Sequence, residues 1–350
     1  MATRPVAIRP MASDDSDGLR ALIEAAPDTG AVRIRVRHLI PSVVAVTRTR
    51  PGSVGIVADM PGEGIVGAAA MSYIRIGIDG EPVTAALLHS LAVAPAHRGR
   101  GIARQLTDWR VARVLADLGD HVPLVAGIQH GNAASIANAR RWSTHLLGPM
   151  TIGASPIRSR ARPSPDWDVG PAQPNELEPA ARELNRFHIR HQLWAGTNSE
   201  ALLAWMATSP LDQPIHHVWV ARDRAGSLLA GALFTESFRI VVREVLTRPM
   251  LLRLLNPILR LLPADGRIAL LDIGPLWFAP GRLDAARALL AGAGQHWAGR
   301  ATHLGFGHDP RGPIRPLLPS GPFAATSRIW IALGWHGAVS EDRPIAPLPS

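Results

Sequence analysis

The chain has 350 residues, of which 47% are hydrophobic, and a formal net charge of +9; this length suits two domains better than one. It has no cysteine, which excludes disulfides, cysteine metal sites and a covalent acyl-cysteine intermediate. No apolar run reaches the roughly 18 residues that span a bilayer, and the N-terminus lacks a secretory apolar segment. We therefore predict a soluble, cytoplasmic protein without a metal site.

The positive charge is concentrated in the first half. Residues 1–165 hold 19 Arg against 12 Asp and Glu, whereas residues 166–350 hold 18 Arg against 16 acids. A partner with several negative charges fits this distribution. Nucleic acid would require arginines interleaved with stacking aromatic residues, or a known binding module, and the first half shows neither. We therefore predict no nucleic-acid partner.

The first half alternates strand and helix patterns. Ser13-Asp-Asp-Ser16 predicts the cap and the acidic first turn of a helix, and Pro61-Gly62-Glu63-Gly64 predicts a hairpin turn. A central strand rich in β-favouring residues stops at Pro95. The predicted elements are a strand at 6–11, a helix from 13 to about 26, strands at 54–58 and 65–78, and the central strand at 83–93.

A basic, glycine-containing turn joins the central strand to a helix whose apolar residues recur at helical spacing from Ile102. The turn Arg98-Gly99-Arg100-Gly101 therefore lies at a helix N-terminus, where unpaired N–H groups and the helix dipole favour an anion. The glycines let the backbone approach a phosphate, and the arginines add positive charge. A tight connection whose glycines relieve strain explains the motif as well.

The sequence around this turn favours the phosphate site. Arg98-x-x-Gly101-x-Ala103, preceded by Val93-x-Pro95, resembles the signature of the GNAT superfamily of acyl-CoA-dependent N-acyltransferases. A strand at 122–128 then leads into His130-Gly-Asn132-Ala-Ala-Ser135, which resembles the family segment whose Asn contacts pantetheine. The resemblance implies the GNAT acyltransferase fold, an α/β (α+β) mixed sheet flanked by helices.

The second half repeats this plan after a final pair of strands at 145–157. Aligning Pro280 with Pro95 puts Leu283, Ala286 and Ala288 at the places of Arg98, Gly101 and Ala103, so the anion loop is missing. The layout is similar to that of mycothiol synthase-like enzymes, and an unrelated α/β domain is the alternative. We predict a GNAT domain at 1–160, a linker at 161–174, a degenerate GNAT-like domain at 175–340 and a tail at 341–350.

An apolar insertion at 245–263 interrupts the second half. Its apolar residues cover most of a helical circumference, and Pro257 should break the helix. We interpret it as a buried helix pair; a lid over a lipophilic acceptor or a membrane-surface contact are the alternatives.

The resemblance also implies roles for particular residues. The backbone at Leu91 and Val93 would bind pantetheine and present an amide to the thioester oxygen. Many members carry a carboxylate base four residues before this valine, where the chain has His89, a plausible proton acceptor at neutral pH. Strand alternation places these three residues on one face if the strand has no bulge; packing of His89 on the opposite face is the alternative. The predicted cofactor-binding residues are Leu91, Ala92, Val93, Arg98, Gly99, Arg100, Gly101, Ile102, Ala103, Asn132 and Ser135.

The usual catalytic acid is absent from its position. Many members carry a tyrosine seven residues after the Asn, where this chain has Ala139, so Tyr73 on the neighbouring strand is the candidate acid. The resemblance implies an N-acetyltransferase that moves an acetyl group from acetyl-CoA to a primary amine by direct transfer in a ternary complex. The acceptor is a small-molecule or peptide amine. A longer-chain N-acyltransferase and a non-catalytic acyl-CoA sensor or scaffold are the alternatives.

Overall fold

The computed structural model describes residues 5–26, 33–157, 166–247, 261–318 and 325–348, together with residues 250, 254 and 256 of a helix. Ten of the 19 residues of the predicted insertion at 245–263, and residues 161–165 of the predicted linker, lie outside these residues. Within the described ranges, none of the helices has the length and hydropathy needed to cross a membrane.

The first half forms most of the predicted strands and helices, with two additions and one correction. Residues 33–38 alternate arginine with apolar side chains, a period-two pattern that forms strand β2, and the helix Ser42–Thr47 is the second addition. The final pair of strands predicted at 145–157 is one strand, His145–Pro156. The elements are β1 (Ala7–Pro10), α1 (Ser16–Ala25), β2 (Ile34–His38), α2 (Ser42–Thr47), β3 (Val54–Met60), β4 (Gly64–Ile78), β5 (Glu81–Val93), α3 (Ile102–Leu118), β6 (Leu124–Gln129), α4 (Ala133–Ala139) and β7 (His145–Pro156).

The second half begins with a strand inside the predicted linker at 161–174. This strand, Asp168–Pro171, pairs with the next one, and Arg222 bonds to both Asp168 and Glu176. The elements are β8 (Asp168–Pro171), α5 (Leu177–His188), α6 (Ser199–Ala207), β9 (His216–Arg222), β10 (Leu228–Thr235), β11 (Val241–Val245), β12 (Arg267–Ile268), β13 (Leu270–Phe278), α7 (Leu283–His296), β14 (His303–His308) and β15 (Ala325–Gly334).

One mixed sheet runs through both halves and confirms the predicted fold class. Its twelve described strands have the order β1-β3-β4-β5-β6-β15-β7-β14-β13-β10-β9-β8. The last strand of each half lies beside the other half's strands: β15 pairs with β6 and β7, and β7 pairs with β14. The two halves therefore exchange their final strands, and neither half has a complete sheet of its own.

Two further contacts join the halves. Strand β2 of the first half pairs with β11 of the second in a small sheet, β12-β11-β2. The predicted tail at 341–350 is also part of the core, since Ile345 is 2% exposed and packs with Ile76 and Leu147 of the first half. Its backbone N–H donates to Asp309 Oδ2. Residues 341–350 contain three prolines and three charged residues, which is why the sequence pattern of this segment resembles a tail.

Candidate functional site

The sheet opens between its two central parallel strands. Strands β5 and β6 pair at Ala86 with Leu124 and at Leu87 with Val125, and then diverge. Helix α3 follows β5, and α4 follows β6. The crevice therefore lies at the carboxyl ends of two parallel strands with two helix N-termini at its mouth, a common place for a ligand in an α/β sheet.

A β-bulge lies in β5 at this opening. Ala68 pairs with Ala92 and Ala70 with His89, so β5 has one residue more than β4 between these pairs. Ser90 has a φ of +53° and is exposed although it lies in a central strand. The N–H of Ala94 donates to Val66 O on β4, so alternation directs the N–H groups of Val93 and Leu91 towards the crevice.

The backbone N–H of Ala92 does not point towards the crevice. The same alternation directs its N–H towards β4, where Ala68 is its partner, and its side chain packs with Leu19 and Val46 on the α1 and α2 side of the sheet. Of the three strand residues predicted to bind the cofactor, Leu91 and Val93 therefore have the required geometry and Ala92 has a packing role.

The turn before α3 is open to an anion. Gly99 and Gly101 have φ values of +77° and +80°, and a Cβ at either position would meet nothing within 4 Å. Gly101 is the N-cap of this 17-residue helix, whose first turn has neither a capping side chain nor an acidic residue. Arg98 and Arg100 are exposed, and Arg98 Nε donates to Val93 O at 3.3 Å. The first N–H groups of α3 are thus accessible to a phosphate beside two arginines.

Ile102 and Ala103 begin the helix behind this turn. Ile102 is 2% exposed and lies so close to Gly67 on β4 that a Cβ there would be 2.9 Å from its Cγ2. Its role is to fix the start of α3 against the sheet, while half-buried Ala103 offers its backbone N–H in the first turn.

Asn132 and Ser135 lie at the start of α4, on the other side of the crevice. Asn132 is the N-cap, and its Oδ1 accepts from the Ser135 N–H at 3.0 Å. The predicted Asn therefore already uses its oxygen within the helix. A second asparagine of this helix, Asn138, was not expected from the sequence: its Nδ2 donates to Thr107 Oγ1 at 2.8 Å and joins α4 to α3.

A buried arginine supports the bulge from the α3 side. Arg110 is 3% exposed and donates to Ala70 O at 3.0 Å, to His89 O at 3.3 Å and to Thr107 Oγ1 at 3.1 Å. Burial lowers the pKa of Arg110 to about 10, so its guanidinium stays charged at neutral pH. This cation ties the β4–β5 register to α3 and, through Thr107, to Asn138.

His89 lies on the opposite face of the sheet from Leu91 and Val93, which corrects the prediction of one shared face. The bulge at Ser90 inverts the alternation between them: Leu91 packs with the α3 side. His89 Nε2 is 2.8 Å from Ser72 Oγ, and its Nδ1 is 3.0 Å from Ser90 Oγ. Burial, with the charges of Arg50 and Arg110, lowers the pKa of His89 to about 3. The imidazole is therefore neutral at pH 7, and the expected titration near neutral pH is wrong.

Tyr73 lies away from the crevice, which corrects its prediction as the acid. Tyr73 pairs with Ala86, in the part of β5 that is still paired with β6. Its Oη donates to Asp117 Oδ2 at 2.5 Å. Asp117 is in the last turn of α3, about 22 Å along the helix axis from Ile102. Burial and Asp117 raise the pKa of Tyr73 to about 12, so its hydroxyl keeps its proton.

We expect Tyr73→Phe to leave the predicted acyl-transfer activity within about twofold of the wild type. The substitution removes one hydrogen bond on the surface of α3, with an expected cost of about 1 kcal/mol in the free energy of unfolding. Chemical denaturation and steady-state kinetics measure the two effects. A fall in kcat of tenfold or more, with the fold intact, would return Tyr73 to the mechanism.

The second half has a similar opening, between β13 and β14, where a histidine side chain bonds to the backbone. Strands β13 and β14 pair in parallel at three positions up to Asp272 and Gly305 and then diverge. His188 Nε2 of α5 donates to Leu276 O in the diverging part of β13. Buried His188, whose pKa burial lowers to about 3, thus satisfies a carbonyl group at this opening as a neutral donor.

The loop before α7 is also unlike the turn before α3. It comprises residues 279–282, half the length of 94–101, and Asp284 stands in the first turn of α7, paired with Arg282. An acid at this position opposes anion binding. Leu283 is the first helical residue, so it corresponds to Ile102 rather than to Arg98 as aligned from the sequence. That the second half lacks an anion-binding loop stays a prediction.

Comparison with known proteins identifies the domain around the crevice. Residues 44–142 match the model of the acetyltransferase (GNAT) family. Residues 44–142 therefore form a GNAT-family domain. This domain includes β5, its bulge, the glycine turn and α3. A comparison with curated protein sequences gives no match.

The fold of the whole chain is similar to solved structures at low sequence identity. Saccharomyces cerevisiae N-myristoyltransferase with bound myristoyl-CoA is 11% identical, with a TM-score of 0.62 over 99% of this chain and 86% of that chain. A GCN5-related N-acetyltransferase from Kribbella flavida is 15% identical, with a TM-score of 0.49 over 94% of this chain and 71% of that chain. The myristoyltransferase similarity extends over both halves and therefore shows that the second half shares this fold. Among the described residues, no three His, Asp or Glu side chains are grouped to hold a metal ion.

Proposed function

We propose that the protein is an N-acyltransferase that binds acyl-CoA between β5 and β6 and transfers the acyl group directly to a primary amine. One observation carries this proposal: the N–H groups of Leu91 and Val93 face a crevice that ends at the open glycine turn of α3. The pyrophosphate of CoA would bind at Gly99–Gly101, and the pantetheine arm would pair with the free edge of β5.

The acceptor amine would approach from the His89 face of the sheet. The second half covers part of this face: the N–H of Leu193 donates to Gly77 O, and Ile215 and Ile240 pack against Ala45 of α2. These contacts support an acceptor pocket with walls from both halves. A cytoplasmic location and a small-molecule or peptide acceptor are part of the same proposal.

Acetyl is the acyl group that we propose. A long acyl chain is the second candidate, because a protein that binds myristoyl-CoA shares the fold across both halves. A non-catalytic acyl-CoA sensor is the third, because Ala139 replaces the expected tyrosine and is buried in the core.

Thermal unfolding with acyl-CoA ligands tests the proposal. Acetyl-CoA, CoA and myristoyl-CoA should each be added at increasing concentration; a ligand at about 100 times its Kd stabilises the folded state by about 2.7 kcal/mol. Release of CoA thiol in the presence of an amine then separates transfer from binding alone. The protein has no cysteine, so a thiol reagent detects CoA without background from the chain. Binding with no thiol release with any amine would favour the sensor, and no stabilisation by any of the three ligands would contradict the cofactor site.

A further inference from the structure

Four side chains form a continuous hydrogen-bonded series across β5, β4 and the start of β3. Ser90 Oγ is 3.0 Å from His89 Nδ1, His89 Nε2 is 2.8 Å from Ser72 Oγ, and Ser72 Oγ is 2.6 Å from Ser53 Oγ. Ser90 is exposed at the bulge beside the crevice, and Ser53 is half-buried in the turn before β3. Ser72, in the middle, is 1% exposed. The series thus leads from the crevice through the buried interior of the sheet to a second surface.

Every member of this series can accept and donate a proton. A serine hydroxyl has one donor and two acceptor sites, and a neutral imidazole has one of each on opposite nitrogens. His89 is surrounded by positive charge, with Arg50 from the turn after α2 and Arg110 from α3. These two cations oppose storage of a proton on the imidazole. They leave intact its ability to accept on one nitrogen while it donates from the other.

We propose that Ser90, His89, Ser72 and Ser53 are a proton relay that removes the proton from the acceptor amine during acyl transfer. The proposal rests on the proposed function. Ser90 takes the catalytic role in this proposal, since it is the exposed member at the bulge beside the crevice, whereas His89, Ser72 and Ser53 act through it.

The proton balance of the step is complete without another reactant. As the amine nitrogen bonds to the thioester carbon, its proton moves to Ser90 Oγ, and the Ser90 proton moves to His89 Nδ1. His89 releases the proton of Nε2 to Ser72, Ser72 passes its own to Ser53, and Ser53 passes its own to water. The carbon–sulfur bond then breaks, and CoA leaves as the thiolate, which takes a proton from solvent. After transfer, reorientation of the hydroxyl groups and exchange with water restore the starting state.

The relay predicts that its remote members affect turnover and not cofactor binding. Ser72→Ala breaks the series in the middle, and we expect kcat to fall about 100-fold, within the range for general acid–base catalysis, with KM for acetyl-CoA within twofold. Ser53→Ala removes the outermost hydroxyl, which water can replace, so a fall of about tenfold is expected. Ser53→Thr keeps a hydroxyl at this half-buried place and should restore the wild-type kcat.

Ser42→Ala is the matched control. Ser42 is also a fully buried serine, on α2, but its Oγ has no partner among the described residues. This variant should keep the wild-type kcat, and thermal unfolding of all four variants identifies any loss through misfolding. The assay measures CoA thiol from acetyl-CoA with a panel of amino-acid amides, in H2O and in D2O. A solvent isotope effect that is present in the wild type and changed in Ser72→Ala supports the relay. Equal kcat values for Ser72→Ala, Ser53→Ala and the wild type would overturn it.

A second measurement tests the relay without turnover. Imidazole 15N spectra should show His89 as one neutral tautomer from pH 8 to about pH 4, and Ser72→Ala should shift the Nε2 resonance. Protonation of His89 near pH 6.5, or no effect of Ser72→Ala, would overturn the relay. No CoA release by the wild type with any amine of the panel would instead count against the proposed function, and the spectra would still decide the relay geometry.

Discussion

Replacing Gly101 with Glu should weaken acyl-CoA binding by at least 100-fold. Gly101 is the N-cap of α3 in the left-handed region, with a φ of +80°, and a side chain there projects into open space at the first N–H groups of the helix. The new carboxylate would occupy the place proposed for the pyrophosphate and repel it. Titration calorimetry with CoA and acetyl-CoA measures the loss.

The same helix offers a matched control at its other end. Gly119, the C-cap of α3, also has a positive φ, +85°, and a Cβ there likewise meets nothing within 4 Å. Gly119→Glu therefore introduces the same charge far from the crevice, at a residue whose ψ of −177° makes the backbone strain larger than at Gly101. It should keep the wild-type Kd for acyl-CoA. Equal affinities for Gly101→Glu and the wild type would show that CoA does not bind at this turn.

Ending the chain at residue 324 should prevent both halves from folding. The truncation removes β15, whose residues Ile331, Ala332 and Leu333 are fully buried between β6 and β7. Without it, the first half has an unpaired edge at β6, and β7 loses one of its two partners. Circular dichroism should show a large loss of native structure and no thermal transition.

A single substitution in the full chain tests whether the two halves fold together. Leu333→Ala leaves a cavity in the first-half core and should lower the free energy of unfolding by about 2–5 kcal/mol. We expect one shared transition, detected alike by tryptophan fluorescence and by circular dichroism, although Leu333 belongs to the second half in sequence. A chain ending at residue 348 is the control and should melt like the wild type. A soluble fragment of residues 1–160 that binds acyl-CoA with wild-type affinity would contradict the coupling.

Local patterns predicted the turn before α3 well, because the chemistry of Arg98–Gly101 depends on neighbouring residues. The same is true of the apolar period of α3. The position of His89 could not be obtained in this way, because a bulge depends on how many residues β4 and β5 contribute between two paired positions. The identity of Ser90 does not predict a left-handed backbone conformation within a strand. Helical spacing likewise could not show that Tyr73 would meet Asp117.

Contacts between segments that are distant in sequence were the second kind of feature that could not be predicted. Ser72 and Ser53 become visible as partners of His89 once β3, β4 and β5 are in register, and Arg110 reaches the bulge from a helix. The burial of Ile345 depends on residues more than 200 positions earlier. The cofactor-binding role of the residues singled out from the sequence, and the domain boundaries at 160 and 175, stay predictions.

The exchange of β7 and β15 bears on how such a chain could arise. Two identical copies of a one-domain ancestor that swapped their terminal strands would make the same pairings around a twofold axis. Duplication and fusion of the gene would then place both copies in one polypeptide and replace an encounter between two molecules by an intramolecular contact. After fusion, the second copy must still supply β15, so selection on stability preserves its sheet. The loop before α7 is not needed for these strand pairings, so it could shorten to residues 279–282 while the loop before α3 kept its glycine turn.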